Sequence, residues 1–269
     1  MIKSNLHTHS IYCDGKNTPE EIVNSAISLG LLSVGFSGHA YTPFDSSFCM
    51  SWENTKKYTE EILNLKEKYK DKIEIYLGLE ADLLSEFDKS NYDYIIGSCH
   101  YVTVGGKHLS VDDTEEIMKE NVKKHFSGDY LKYAENYFEQ ILTLSTISPD
   151  IIGHFDLLTK FNEGNKYFNE NDKKYLDLAF CALDTLIPKC DLFEVNTGAI
   201  CRGYKKSPYP AVPILKRLKE KGAKVIITSD CHDARDLTFY FKETQTLLKE
   251  TGFLSTVILS GNKFIETPL

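Results

Sequence analysis

Two histidines, His7 and His9, stand one residue apart near the start of the sequence, in the stretch NLHTHSIYCDG. On a β-strand, residues i and i+2 point to the same face, so these two imidazoles would lie side by side. Two neutral imidazoles in that arrangement can bind one metal ion, whereas two imidazolium cations would repel each other. The pair therefore indicates a metal site at a strand end, and Asp14 in the same stretch is a further candidate ligand.

Most of the other histidines occupy equivalent positions later in the chain. Short apolar runs rich in Ile, Val and aromatic residues predict buried strands, and nearly every run stops at a residue that can bind a metal. Of the eight histidines, only His108 and His125 fall outside strand ends, and we expect these two on the surface. The candidate metal ligands are His7, His9, Asp14, His39, Glu80, His100, His154, Asp230 and His232.

Nine ligands are too many for one ion, because a catalytic site of the zinc type uses about three protein ligands and keeps one position open. The sequence therefore predicts two or three divalent ions. All the donors are nitrogen or oxygen atoms, which suit Zn, Fe or Mn without favouring one of them. Glu80 is a natural bridge, since its two oxygens can bind two ions. The positive charge of such a cluster suits a phosphate dianion.

Helical segments separate the predicted strands. Thr18, Pro19 and Glu21 form the start signal of a helix that ends at Gly30. A polar stretch at 104–129 predicts a long excursion with a helix near 112–124. Further helices are predicted at 52–69, 130–144, 172–187, 211–221 and 237–249.

This alternation, repeated about seven times, predicts an α/β fold, either a barrel or a doubly wound sheet. A doubly wound sheet gathers functional residues at one switch point, whereas a barrel gathers them at the ends of several strands. Because nearly every predicted strand, from the first at 2–6 onward, ends at a candidate ligand, we predict a barrel. We expect one domain over residues 1–269.

Composition narrows the classes of function. The formal net charge of -8 argues against nucleic acid as the main partner, because binding to its backbone requires a basic surface. No apolar run approaches the roughly 20 residues of a membrane span, and no secretory signal is recognisable. The seven cysteines include no CxxC pair, which indicates a reducing cytoplasm. The oligomeric state is not predicted.

The motifs HTHSIYCDG, GLEAD, GSCHYV, GHFD, EVNTG and SDCHD resemble, in this order, those of the PHP (polymerase and histidinol phosphatase) superfamily. The chain length and the segments GHFDLLTKF, EVNTGAICRG and SPYPAVPILKRLKEKG are most similar to its stand-alone histidinol-phosphate phosphatases. The resemblance implies a distorted (β/α)7 TIM-like barrel with a trinuclear metal centre. It also implies a phosphoric monoester hydrolase of histidine biosynthesis that converts L-histidinol phosphate to L-histidinol and phosphate.

The resemblance also distributes the ligands over three ions and implies catalytic roles for Glu80, Asp230 and His232. The stretch Ser37-Gly38-His39 departs from the pattern, because many relatives carry an acidic residue just before the histidine. That departure changes the surroundings of the ligand and not the ligand itself. The implied ligand sets are His7, His9, Glu80 and Asp230 for the first ion, Glu80, His100 and His154 for the second, and Asp14, His39 and His232 for the third.

We expect direct attack of metal-bound hydroxide on phosphorus, with no phosphoenzyme. Arg202 is the predicted phosphate clamp, because a guanidinium fork matches phosphate geometry. Lys160 is a second candidate for this role, and Asn196 and Tyr204 are expected to line the substrate pocket. Asp156 is expected either to orient a ligand histidine or to cap the next helix.

Three alternatives remain open. The first is a phosphoesterase on the same scaffold that acts on another small monoester or a nucleotide. The second is a metal-dependent amidohydrolase, although many of these carry a carbamylated lysine where this chain has His100. The third is a metal-binding barrel without catalysis, although such degenerate copies usually lack ligands and none is missing here.

Overall fold

Parallel strands form the centre of the molecule in the computed structural model, which describes residues 3–269. Ile2, where the first predicted strand begins, lies outside the described residues. The strands are β1 (Ser4–Asn5), β2 (Ser33–Phe36), β3 (Glu74–Asp82), β4 (Tyr94–Ser98), β5 (Tyr101–Val104), β6 (Lys107–Ser110), β7 (Ile151–Ile152), β8 (Leu192–Asn196), β9 (Lys224–Thr228), β10 (Ser255–Ser260) and β11 (Lys263–Pro268). The helices are α1 (Pro19–Ser28), α2 (Trp52–Lys68), α3 (Glu115–His125), α4 (Tyr130–Ile141), α5 (Lys173–Leu186), α6 (Gly198–Cys201), α7 (Val212–Glu220) and α8 (Phe241–Thr251), with short 3₁₀ turns at Lys89–Asn91, Leu142–Ile147, Leu157–Thr159 and Ala234–Asp236.

The central sheet has the strand order β1-β2-β3-β4-β7-β8-β9, and all neighbouring strands in it are parallel. Just beyond the ends of β9 and β1, the chain pairs again between Cys231 and Thr8. The amide of His9 donates to the carbonyl of Cys231 at 2.9 Å, and the amide of Cys231 donates to the carbonyl of His7 at 3.2 Å. The sheet therefore closes on itself. The predicted TIM-like barrel is confirmed, and the alternative of a doubly wound sheet is excluded.

Helix α1 begins as its sequence signal predicts. The side chain of Thr18 accepts a hydrogen bond from the amide of Glu21, and the Glu21 carboxylate accepts one from the amide of Thr18. Pro19 occupies the first helical position, and Gly30 follows the helix with a φ of +71°. This reciprocal capping satisfies amide groups that a helix start otherwise leaves without partners.

The other predicted helices are present with shifted ends. The largest shift is in α8, which begins at Phe241 and not at residue 237. The preceding residues form the 3₁₀ turn Ala234–Asp236, and Tyr240 has a left-handed φ of 62° that cannot belong to a helix. The excursion at 104–129 contains its predicted helix, observed as α3, but it also contains β6 of the hairpin β5–β6, which was not predicted.

The C-terminal hairpin β10–β11 was also not predicted, and it covers the barrel end where the strands begin. The hydroxyl of Ser33, the first residue of β2, donates to the carbonyl of Leu259 at 2.8 Å. Val257 and Leu259 pack in one apolar cluster with residues of the central strands, among them Tyr94. The hairpin thus closes one end of the barrel and leaves the other end for polar residues.

Tyr94 fills the barrel interior and explains two glycines. A Cβ atom at Gly78 would lie 2.2 Å from a ring carbon of Tyr94, and one at Gly35 would lie 2.4 Å from its hydroxyl oxygen. The Tyr94 hydroxyl donates to the carbonyls of Leu6 and Phe36. Glycine at both positions therefore lets one ring hydrogen-bond two neighbouring strands from inside.

Within residues 3–269, no helix combines the length and the apolar character that crossing a bilayer requires.

Candidate metal centre

The nine predicted ligands lie together at the barrel end where the parallel strands finish. Their side-chain nitrogen and oxygen atoms form overlapping groups in which all ligand atoms lie within 4.8 Å of one another. The groups are His7, His9 and Asp230; His39, Glu80 and His100; and His9, Asp14, His39 and His232. His154 joins them through Glu80, because its Nε2 atom lies 2.9 Å from Glu80 Oε1.

Glu80 is the centre of the cluster. Its Oε2 atom lies 3.2 Å from His7 Nε2 and 3.0 Å from His39 Nδ1. Its Oε1 atom lies 3.4 Å from His100 Nε2 as well as near His154. Burial alone would raise the pKa of Glu80, but the surrounding imidazoles outweigh it and hold that pKa well below its usual range. Glu80 is therefore an ionised carboxylate whose two oxygens face different histidines, as a bridging ligand requires.

Several buried nitrogen and oxygen atoms of the cluster have no hydrogen-bond partner among the described residues. They include His7 Nε2, His9 Nε2 and Glu80 Oε2. A buried polar atom without a partner costs free energy of about 1–3 kcal/mol. A divalent cation between these atoms would satisfy all of them at once. Imidazole and carboxylate donors fit Zn, Fe or Mn, so the residues present fit the implied cations.

His9 is set apart from its neighbours by its protonation. Burial, together with the neighbouring imidazoles of His232 and His39, lowers the pKa of His9 to about 3. For His39, burial acts in the same direction, but the carboxylates of Glu80 and Asp14 outweigh it and raise the pKa to about 9. His9 is consequently neutral near pH 7, and its Nε2 lone pair is available to a cation.

Asp230 links the histidines to Arg202. Its Oδ1 atom lies 3.2 Å from His9 Nε2, and its Oδ2 atom accepts a hydrogen bond from Arg202 Nη2 at 2.9 Å. The backbone φ of Asp230 is +48°, in the left-handed region that few residues other than glycine adopt. Backbone strain of this kind concentrates at functional sites, where surrounding contacts hold it in place.

Glu194, which lies near the end of a predicted strand but is not among the nine predicted ligands, contacts two of them. It is fully buried at the inner face of β8, and its Oε1 atom lies 2.5 Å from His7 Nδ1. Its Oε2 atom accepts a hydrogen bond from the amide of His154 at 2.7 Å. Because an ionised carboxylate only accepts, the Nδ1 atom of His7 carries a proton, which directs Nε2 towards the rest of the cluster. Burial lowers the pKa of His7, but Glu194, Glu80 and Asp230 outweigh burial and raise it, so a cation at Nε2 would take the place of the proton on that atom. A glutamate inside an apolar strand, in DLFEVN, is the signal that could have identified it.

We expect Glu194→Gln to weaken metal binding by about 10- to 100-fold, because partners that orient a ligand histidine contribute about that much. The substitution conserves volume but removes the charge that fixes the proton of His7. Metal titration of the metal-free protein measures the effect, and the thermal unfolding midpoint of that same form reports any general loss of stability. Unchanged metal affinity would show that Glu194 serves only packing.

Asp82 plays the corresponding part for His100. It lies two residues after Glu80 on β3, and its Oδ2 atom accepts a hydrogen bond from the amide of His100 at 2.7 Å. The same oxygen lies 3.5 Å from His100 Nδ1. The spacing ExD in GLEAD therefore carries one carboxylate to the cluster centre and the next to a ligand histidine.

A cavity of about 440 Å³ opens onto the cluster, and Arg202 and Lys160 both line it. Arg202 is one-third exposed and donates to the backbone and carboxylate of Asp230. The ammonium of Lys160 is held by Asp112, whose carbonyl oxygen accepts from it at 2.5 Å. The two predicted phosphate-binding residues thus lie at the same cavity, with only Arg202 bonded directly to a cluster residue.

The expectation that Asn196 and Tyr204 line the pocket is not met. The Asn196 side chain is fully buried, and its amide group donates to Glu194 and accepts from the amide of Gly198. Tyr204 is exposed and lies outside the cavity, with its ring centroid 5.0 Å from Lys160 Nζ. Asp156 does not cap the helical turn that follows it, since its Oδ2 atom accepts from the amide of Ala211, the residue before α7.

A closed parallel barrel whose strand ends bring together nine imidazole and carboxylate ligands defines the class of metal-binding α/β barrels. Within that class, the model of the PHP domain matches residues 5–198, and the chain belongs to the PHP domain family.

Related proteins span nearly the whole chain. The histidinol-phosphatase of Bacillus subtilis is 26% identical over 267 residues, covering 90% of this chain and 98% of that protein. The histidinol-phosphatase of Lactococcus lactis is 26% identical over 279 residues, covering 98% and 96%. The crystal structure of a Lactococcus lactis histidinol phosphate phosphatase with zinc, L-histidinol and phosphate superposes with a TM-score of 0.70 and 23% identity, covering 98% of each chain. This structural likeness shows that the two chains share their fold.

Proposed function

We propose that this protein is a metal-dependent histidinol-phosphate phosphatase that hydrolyses L-histidinol phosphate to L-histidinol and phosphate in histidine biosynthesis. The observation that carries the proposal is the cluster of imidazole and carboxylate groups around Glu80, which faces a cavity that also contains a guanidinium group. The full-length similarity to histidinol-phosphatases supports the choice of substrate. The proposed unit is the whole chain, since His7 and His232 contribute to one cluster.

We propose two or three divalent cations, of Zn, Fe or Mn, bound by the nine residues in the sets that the family resemblance implies. When bound, such cations lower the pKa of a coordinated water towards about 7 and neutralise phosphoryl oxygens. Glu80 lies between the proposed sets, and Asp14 lies 3.1 Å from His232 Nε2 at the exposed side of the cluster. These side chains would hold the cations near each other at the floor of the cavity, where a phosphate dianion can reach them.

Arg202 is the proposed phosphate clamp. Burial opposes its charge, but the carboxylate of Asp230 outweighs burial and raises the pKa of Arg202 further. The guanidinium has five N–H donors and uses two of its nitrogens on Asp230, so donors remain for a phosphate oxygen. It would therefore orient the phosphoryl group beside the residues of the cluster.

We expect Arg202→Ala to raise the KM for histidinol phosphate by about tenfold or more and to lower kcat less, because the lost donors bind the phosphate before and during the reaction. Arg202→Lys keeps the charge without the fork and should fall between the two. Steady-state kinetics measure both constants, and Arg235→Ala, which removes an exposed arginine, is the matched control. A KM equal to that of the unsubstituted enzyme would exclude the clamp role.

The formal net charge of -8 disfavours binding to nucleic acid, which requires a basic surface, so we propose a small molecule as the partner. We also propose a cytoplasmic location, which the seven free cysteines support.

The proposal is tested by measuring phosphate release from histidinol phosphate, a nucleoside monophosphate and glycerol phosphate, with the bound metals quantified in the same preparation. We expect kcat/KM for histidinol phosphate to exceed the others by about a hundredfold or more, and activity to disappear with a chelator and return with added metal. Preferential hydrolysis of the nucleotide would replace the proposed substrate. An absence of phosphate release from every ester by the metal-loaded protein would refute the enzymatic function.

A further inference from the structure

Lys205 is the one buried lysine among residues 3–269, and the metal centre does not use it. It lies three residues after Arg202 in the loop 197–211 between β8 and α7, which we name the β8 loop. Its side chain neither belongs to the ligand groups nor lines the cavity. Because burying an ammonium group costs free energy unless the group is paired and hydrogen-bonded, the partners of Lys205 indicate its role.

All hydrogen bonds of the Lys205 ammonium go to a different loop, the loop 153–172 between β7 and α5, which we name the β7 loop. Its Nζ atom donates to Thr159 Oγ1 at 2.8 Å, to the Thr159 carbonyl at 3.5 Å and to Glu170 Oε1 at 3.4 Å. An ammonium has three N–H donors, so these three oxygens use all of them. Lys205 therefore has no donor left for a substrate, and its ammonium joins the β8 loop to the β7 loop.

The acceptors of this ammonium are themselves held in place. The Thr159 hydroxyl donates to the Asp156 carbonyl at 2.8 Å, and Asn162 Nδ2 donates to Glu170 Oε1 at 2.9 Å. Asn162 Oδ1 in turn accepts from a backbone amide of the same loop at 2.9 Å. Thr159 and Asn162 are at most 1% exposed. The β7 loop thus presents a fixed and buried set of acceptors that fits one ammonium group.

Lys205 and Arg202 stand on one turn of the β8 loop, which links their positions. The amide of Arg202 donates to the carbonyl of Gly198 at 3.0 Å, and the amide of Lys205 donates to the carbonyl of Ala199 at 3.3 Å. The Arg202 guanidinium lies against the same turn, because a Cβ atom at Gly198 would lie 3.0 Å from both of its terminal nitrogens. Fixing Lys205 therefore also restrains the backbone and the side chain of Arg202.

The β7 loop brings a second cationic residue to the same cavity. Lys160 directly follows Thr159 in the chain, and it lines the cavity together with Arg202. The contact between Lys205 and Thr159 therefore sets the distance between the backbone of Lys160 and the turn that carries Arg202.

We propose that Lys205 is a positioning residue for phosphate binding: its buried ammonium joins the two loops and holds Arg202 in the orientation that a phosphate group requires. The inference rests on the proposed function, because it takes Arg202 as the phosphate clamp. Without the ammonium, the turn would lose its three hydrogen bonds to the β7 loop. Arg202 would then have to be ordered when phosphate binds, and such ordering weakens binding.

The test measures the affinity of the metal-loaded enzyme for inorganic phosphate by calorimetry, together with KM and kcat for histidinol phosphate. Lys205→Met nearly keeps the length of the side chain and removes the ammonium. Thr159→Val removes the nearest acceptor at nearly constant volume. The matched control is Lys206→Met, which removes the same charge from the next residue, at an exposed position outside the cavity.

We expect Lys205→Met to weaken phosphate binding about fivefold and to raise KM similarly while kcat changes little, because coupled contacts of this kind contribute about that much. Thr159→Val should act in the same direction, and it decides the question if Lys205→Met does not fold. In the Arg202→Ala background, Lys205→Met should have no further effect, because it acts through Arg202. Weakening by the same factor with and without Arg202, or no weakening at all, would overturn the inference.

Failure of the proposed function has a different signature. An unsubstituted enzyme that hydrolyses para-nitrophenyl phosphate but not histidinol phosphate would refute the proposed substrate, and the phosphate titration would still decide the role of Lys205. An unsubstituted, metal-loaded protein that binds no phosphate would overturn both proposals.

Discussion

Glu80→Gln should reduce turnover of histidinol phosphate by at least about a thousandfold, a loss of about 4 kcal/mol of transition-state stabilisation. The reason is the position of this one carboxylate between His7, His39, His100 and His154. Glutamine has nearly the same volume, so the core is preserved, but it removes the negative charge that the proposed cations share. Its NH2 group would also direct a hydrogen-bond donor at atoms that must themselves approach a cation.

Two measurements separate this outcome from misfolding. Elemental analysis should find less metal in Glu80→Gln, while circular dichroism should remain that of the folded protein. Glu120→Gln, an exposed substitution of the same chemistry on α3, should leave both metal content and turnover unchanged. Turnover within tenfold of the unsubstituted enzyme, with full metal content, would show that Glu80 does not bridge cations.

His9→Ala is expected to have an effect of the same size for a different reason. His9 belongs to two of the donor groups, one with His7 and Asp230 and another with Asp14, His39 and His232. Its ring stacks on that of His232 with centroids 4.1 Å apart, so its removal also frees a neighbouring ligand to move. The low pKa of His9 keeps its imidazole neutral across the pH range of ordinary assays. A change of pH within that range would therefore not remove His9 as a ligand.

The measurement is turnover per enzyme together with metal content, at saturating histidinol phosphate and again with excess metal. His9→Asn, which leaves a smaller empty volume, should show the same loss, and His125→Ala, outside the cluster, should show none. If His9→Ala retained ordinary turnover at matched metal content, the assignment of His9 as a ligand would be refuted.

The ligand cluster could be predicted from sequence because most of its members lie at or just after the end of a strand of a parallel barrel, and such ends meet at one rim. Glu194 lies on a recognised strand as well, yet its role depends on what faces it across the barrel, and His7 is 187 residues away. No local pattern contains that distance. Asn196 was misplaced for the same reason, since its amide is bonded to Glu194 and does not reach the cavity.

The hairpin β5–β6 was beyond prediction for another reason. The strand KHLS has a polar, weakly periodic sequence, so the hairpin β5–β6 carries little signal of its own. Its position is fixed by tertiary contacts, such as the ring of Phe44 against that of Tyr101, with centroids 5.0 Å apart. Side chains on segments of this kind become neighbours of a site only after the chain has folded.

The closure of the barrel has a consequence for how the folded chain resists opening. The seam lies where the first and last central strands meet, at the backbone hydrogen bonds between His9 and Cys231 and between Cys231 and His7. His7 and His9 stand on one side of this junction, and Asp230 and His232 stand on the other. A cation bound by residues from both sides would link the first and last strands of the central sheet. Metal binding would then also stabilise the closed form of the barrel.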